Sequence, residues 1–235
     1  MATAETKKRP GQTPPPLENG DRLTRDEFER RYAAMPGLKK AELIEGVVHM
    51  PSPVRWKKHG SSQRRLSTWL GTYEARTPGV EGADGASVRL DTDNEPQPDS
   101  VLIIHPDCGG QAEISADDYL EGAPELVGEV AASSVSFDLG AKLHVYRRNR
   151  VLEYIVWRVD DRAVDWFVWR KGQFERLMPD ADGSLKSEVF PGLWLDPAAL
   201  VRGDLATVLK VLQQGVDSPE HAAFVAHLQQ KKSGG

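Results

Sequence analysis

The spacing of apolar positions changes repeatedly along this chain, and each change marks an element. Thr24-Arg25-Asp26-Glu27 fits a capping box that opens a helix through about Met35, with Phe28 and Tyr32 four apart on one face. Glu42 to Met50 is rich in β-branched and apolar residues and reads as a strand, bent at Gly46. Leu66, Trp69, Leu70 and Tyr73 recur at helical spacing, so Lys57 to about Arg76 forms an amphipathic helix. Strands follow at Ala86–Leu90, Ser100–His105 and Glu125–Ala131. A helix over Ser136–Arg150 carries Leu139, Leu143 and Tyr146 on one side. Two further strands, Leu152–Val159 and Ala163–Arg170, flank the turn signal Asp160-Asp161, and Gln173–Met178 pairs with the second. A helix from Pro197 to Gln213 closes the domain. A shorter one, from about Ser218 to Gln229, packs on it or on another subunit. Strands broken by helices require a sheet covered on at least one face. The expected fold is α/β with a mixed central sheet flanked by helices.

Residues 1–20 hold four prolines, three basic residues and no aromatic, the composition of a disordered tail. Residues 21–214 form one domain, and 215–235 a C-terminal helix and polar tail. At 235 residues, 39% hydrophobic and 28% charged, the chain suits that division. No run of apolar residues is long enough for a membrane span, and the N-terminus lacks the apolar core of a secretory signal. Cys108 stands alone, which rules out an internal disulfide framework and fits a reducing cytoplasm.

The net charge of −5 argues against a protein that coats nucleic acid by charge alone. The charge is uneven, however. Glu81 to Glu121 holds eleven acidic residues against Arg89, whereas Arg55 to Arg76 holds six basic residues against Glu74. A metal site beside a phosphate-binding rim would give this pattern, and so would two solvated faces of opposite sign.

Three carboxylates stand where a packed strand should not want them: Glu45 within Leu43–Val48, Asp99 at the head of Val101–Ile104, and Glu129 between Gly128 and Val130. A charge in an apolar strand is costly unless paired, hydrogen-bonded or bound to a metal. Converging carboxylates repel one another, and a hard divalent cation relieves that. Oxygen donors without a Cys or His cluster favour Mg²⁺ or Mn²⁺. Solvent exposure accounts for Glu45 alone and a strand start for Asp99 alone, whereas Glu129 leads directly into Ser133-Ser134 at a strand end. Asp138 and Lys142 are spaced i, i+4, which makes either a surface ion pair or a lysine reaching back over the Glu129 strand.

Taken in order, Leu43-Ile44-Glu45-Gly46, Pro51-Ser52-Pro53 with His59 downstream, Gln97-Pro98-Asp99, Gly122–Val130, Asp138–Lys142 before Tyr146, and Glu153–Val156 resemble the Uma-type restriction endonucleases of bacteria. That family is a branch of the PD-(D/E)XK nuclease superfamily, and the resemblance runs from about Ala41 to Leu195. It implies a restriction-endonuclease-like core and Mg²⁺-dependent (or Mn²⁺-dependent) hydrolysis of DNA phosphodiesters. Asp99, Glu129 and Glu45 would be catalytic and metal-binding, and Lys142 catalytic. His59, Arg64 and Ser134 are candidate substrate contacts. The superfamily lysine two residues after the second acid is Ala131 here, so the chemistry depends on Lys142 from the helix. Ala132-Ser133-Ser134 also lacks one hydroxyl of the family's Ser-Pro-Ser. These departures motivate an alternative, a catalytically decayed fold that binds nucleic acid or a protein partner. A metal-free acid/base hydrolase is the third reading. DNA is the expected partner, with a homodimer if both strands are cut and no membrane.

Overall fold

The computed structural model describes residues 13–51 and 55–234. Its centre is a six-stranded sheet of β3 (Val80–Ala83), β4 (Ser100–Ile104), β5 (Leu126–Ala131), β6 (Glu153–Arg158), β7 (Ala163–Arg170) and β8 (Gln173–Arg176), side by side in chain order, after the hairpin strands β1 (Glu42–Ile44) and β2 (Val47–His49). Neighbours are antiparallel except β5 and β6, which run parallel from Leu126↔Glu153 to Ala131↔Arg158. A parallel pair needs a crossover of a dozen or more residues. Val135 to Arg148 supplies it as a helical turn α3 (Val135–Phe137), a π turn (Asp138–Lys142) and α4 (Leu143–Arg148), following α1 (Arg25–Ala33) and α2 (Ser61–Glu74) earlier in the chain.

Because side chains alternate along a strand, each sheet face takes its own cover. Leu102, Leu126, Val130, Ile155 and Trp157 lie with Leu66, Trp69, Leu70 and Tyr73 of α2. Val101, Ile103, Val127, Ala131 and Val156 face the other way and lie with Tyr146 of α4, with Leu139 and Leu143 packed alongside. Both faces are therefore buried, and all six residues of β5 are inaccessible. This leaves the two faces open to chemistry only at their ends.

The structure corrects several expectations. Glu42 to Met50 is a hairpin, because Glu45 and Gly46 both take positive φ (52° and 71°) and form a two-residue turn. Leu43 exchanges backbone hydrogen bonds with Glu95, which docks the hairpin on the segment leading into β4. The tail is ordered before residue 20: Leu17 is buried with Phe28 and Leu43, and the Gly20 N–H donates to the Val48 carbonyl. The rest of that expectation, residues 1–12, and the Ser52-Pro53 part of the Pro51-Ser52-Pro53 motif lie outside the described residues. Thr24 makes no side-chain cap, and the Glu27 carboxylate, the other half of the box, accepts from Arg30 and Arg31. Ala86–Leu90 shortens to Val88–Arg89 in a separate small sheet with Leu120–Glu121 and Glu113–Ile114. The helix expected over Pro197–Gln213 breaks at Gly203 (φ 77°) into α5 (Pro197–Arg202) and α6 (Leu205–Val216), the second capped by Asp204 onto the Thr207 N–H. The last helix, α7 (Pro219–Gly234), runs on past Gln229 through the expected polar tail. It packs on its own chain, with Leu228 against Gly79 and His221 at 3.0 Å from the Thr77 hydroxyl. No described helix is long and apolar enough to cross a membrane.

One buried carboxyl has a measurable consequence. Glu95 is 1% exposed, and among the described residues neither of its carboxylate oxygens meets a donor. Burial, and then the approach of the Glu29 carboxyl, push it up to about 8. The folded state therefore holds a proton that the unfolded chain releases near pH 4.5, and stability declines as pH rises from there toward 8. Glu95→Gln should stabilise the protein by about 1–3 kcal/mol at pH 8 and by much less at pH 5. Urea unfolding at the two pH values checks this; a variant no more stable than the parent at pH 8 would contradict it.

Candidate active site

Asp99 stands one residue before β4. Continuing the β4–β5 register beyond Ser100↔Gly128 places it opposite Glu129, on the face covered by α4. The Val130 N–H donates to Asp99 Oδ2 at 2.8 Å, and the Asp99 N–H points to Glu129 Oε2 at 3.4 Å. Gly128, opposite Ser100, packs closely on α2: a Cβ there would come within 3.1 Å of the Leu66 side chain. Asp99 and Glu129 are both buried.

Lys142 arrives from the crossover. The π turn inserts an extra residue into the helix, a distortion that re-aims side chains and recurs at functional sites. Its Nζ donates to Glu129 Oε1 and lies equally close, 2.8 Å, to Glu42 Oε1 on β1. Tyr146 Oη donates to Glu129 Oε1 at 3.1 Å, and the Gln97 N–H to Glu42 Oε1 at 2.8 Å. These bonds commit Glu129 Oε1 and Asp99 Oδ2. Glu129 Oε2 and Asp99 Oδ1 keep spare lone pairs. Asp99 Oδ1 faces the His59 Nε2 at 3.3 Å and the Lys40 Nζ at 3.8 Å.

The cluster carries more negative charge than its own cations balance. Asp99, Glu129, Asp138 and Glu42 are buried carboxyls, against buried Lys142 and the partly exposed Lys40. Burial pushes Glu129 up to about 7, with the charges of Asp99 and Glu42 adding to the rise against Lys142. Burial and the Glu129 charge likewise bring Asp138 to about 7, while Asp99 is raised chiefly by burial. Glu42 differs. Burial opposes its ionisation, but Lys142 and Lys40 outweigh that and hold it below the ordinary range. Lys142 is held well above its ordinary value, burial being overcome by Glu129 and Glu42. The Glu42–Lys142 pair is therefore ionised, and the uncompensated charge falls on Asp99, Glu129 and Asp138.

The structure brings together Asp99, Glu129, Lys142 and His59. Glu45 is elsewhere: it occupies the tip of the hairpin turn, half exposed, with its carboxylate 3.7 Å from Arg148. Glu42 fills the place expected of it. Ser134 lies against Asp138, where its hydroxyl only partly offsets the rise that burial causes. Arg64 is exposed and lines an open groove of about 430 Å³ with Gly60, Gln63, Ser67, Thr68 and Asp84. Gln63 ties that groove to the site by donating to the Asp99 carbonyl at 3.2 Å. Sequence reasoning missed Glu42, Lys40 and Tyr146 as site residues. The signal for Glu42 was the Glu45-Gly46 pair: taken as a two-residue turn, it leaves Glu42 as the acid still inside the strand.

Among the described residues no three His, Cys, Asp or Glu side chains form a ready-made metal cage. Two carboxylates with free oxygens nevertheless fit Mg²⁺, which keeps several waters and is held by one or two carboxylates together with substrate phosphates. The raised carboxyls fit as well, since a divalent cation would favour their ionised forms against the burial, and the lesser repulsion, that raise them.

Residues 25–198 match the family Uma2, described as "Putative restriction endonuclease". The fold is similar to the crystal structure of a putative nuclease belonging to DUF820 from Anabaena variabilis ATCC 29413, with a TM-score of 0.53 and 13% sequence identity. That likeness covers 83% of this chain and 99% of the other. No curated protein matches the sequence.

Proposed function

The chain belongs to the Uma2 ("Putative restriction endonuclease") family, and from that membership we propose that it is a divalent-cation-dependent endonuclease that hydrolyses phosphodiester bonds in DNA. The observation that carries this reading is the surplus of buried carboxylate at Asp99 and Glu129, with the Lys142 ammonium fixed 2.8 Å from one of them. Asp99 Oδ1 and Glu129 Oε2 would hold Mg²⁺ or Mn²⁺. When bound, such a cation lowers the pKa of water and offsets charge on the phosphoryl oxygens. Lys142 keeps Glu129 oriented and places a fixed positive charge where negative charge develops during displacement. Tyr146 holds the same Glu129 oxygen. His59, kept neutral by burial, can accept or pass a proton at the edge of the site. Ala131 gives no reason to read the site as decayed. Its side chain lies in the core with Tyr146, and the ammonium comes from the crossover helix instead.

The purified protein is expected to nick or cut DNA in Mg²⁺ or Mn²⁺ and to stop in EDTA. Hydrolysis that persists in EDTA would contradict the reading, and a protein that binds DNA without cutting it in any cation would favour the interaction module.

The raised carboxyls also set a pH dependence. Glu129 and Asp138 hold protons in the folded state up to about pH 7 that the unfolded chain loses near pH 4, so the cation-free protein weakens as pH rises between those values. A cation competes with those protons. Mn²⁺ should therefore raise the melting temperature more at pH 8 than at pH 5.5, which differential scanning fluorimetry checks. An equal shift at both pH values would contradict it.

A further inference from the structure

Five of the six tryptophans are wholly or partly buried; Trp56 is 84% exposed. It is the most exposed of the large apolar side chains among the described residues. It opens a π turn, Trp56–Gly60, held by the His59 and Gly60 N–H groups on the Arg55 carbonyl. His59, which meets Asp99 at 3.3 Å, follows about one helical turn later. Arg55, Lys57 and Lys58 are the neighbours of Trp56 in sequence, all exposed, with Lys58 also 2.8 Å from Asp160, and Gly60 at the end of the same turn lines the groove with Gln63, Arg64 and Asp84. Arg55 to Arg76 is the most basic long stretch of an acidic chain, which favours the approach of a polyanion here.

Building on the nuclease reading, we propose that Trp56 is a stacking platform for an unpaired nucleobase beside the scissile phosphodiester, so that the substrate is single-stranded or locally unpaired nucleic acid. The charges suit a backbone, and the flat exposed ring suits a base. Stacking of this kind is indifferent to sequence because every base offers a face. A paired base inside a duplex is already stacked on both sides and has no face for the indole.

The test is binding by the full chain in EDTA, where cleavage plays no part. Fluorescein-labelled oligothymidylate and a duplex of equal length are titrated and read by anisotropy, with intrinsic fluorescence in parallel. Wild type should bind oligothymidylate more tightly than duplex, and its fluorescence should be quenched on binding. Trp56→Leu should weaken oligothymidylate binding by about tenfold or more and remove the quenching, while Trp56→Tyr keeps most of the affinity. Duplex affinity should change little. The inference is overturned if Trp56→Leu binds oligothymidylate like wild type, or loses duplex and single strand in equal measure. Asp99→Asn separates the two readings: it should lose cleavage and keep single-strand binding. Loss of cleavage in Asp99→Asn beside unchanged binding in Trp56→Leu defeats only the stacking role. Stacking behaviour without cleavage in any cation defeats only the nuclease.

Discussion

Asp99→Asn should lower cation-dependent DNA cleavage by at least about 10³-fold, because several kcal/mol of charge stabilisation leave the transition state with the cation. The variant should fold at least as well as its parent. Asparagine keeps the oxygen that accepts the Val130 N–H, and it removes one negative charge from a site whose own cations do not balance it. Glu129→Gln should behave alike, as its amide still presents an oxygen to Lys142. Cleavage rates and melting temperatures measured together separate this from unfolding. Cation-dependent cleavage that survives both substitutions would assign the chemistry elsewhere.

Lys142→Met should have the largest effect on stability. The ammonium is 3% exposed and lies between two carboxylates at 2.8 Å, so its removal leaves buried charge unpaired. Breaking such a pair costs about 3–5 kcal/mol. The sign with pH follows from the acids left behind. Without Lys142, Glu42 and Glu129 hold protons more firmly in the folded state than in the unfolded one, so the loss is smallest in acid and grows as pH rises. Urea unfolding at pH 5.5 and pH 8 measures the difference. Adding Glu42→Gln should restore part of the stability and none of the activity. A Lys142→Met protein as stable as its parent at both pH values would contradict the charge balance described for the site.

Much of this was legible in the sequence because it depends on local chemistry. Asp99 and Glu129 were conspicuous as charges in apolar strands, and the single parallel pair of the sheet follows from one helix lying between two strong strand signals. What escaped has identifiable physical reasons. Glu45 drew attention because Leu43–Val48 looks like one strand, yet two successive left-handed residues fold it into a hairpin and swing Glu45 into solvent. Its place passes to Glu42, whose burial depends on the docking of Leu43 against Glu95, a contact more than fifty residues away in sequence. Lys142 was visible at helical spacing from Asp138, but the π turn that directs its ammonium to Glu42 and Glu129 has no sequence signature. The edge strand Val80–Ala83 was missed because Val-Glu-Gly-Ala carries no alternation. Trp56 gave no signal either, since exposure is a property of the fold and not of the residue.

Titration of Mn²⁺ into the cation-free protein by calorimetry, near pH 7 and in buffers of different ionisation enthalpy, bears most directly on the paired acids. Wild type should bind about one ion per chain and release protons from the raised carboxyls as it does so, and Asp99→Asn and Glu129→Gln should each lose that binding. Undiminished Mn²⁺ binding in both variants would mean that these two carboxylates hold no cation.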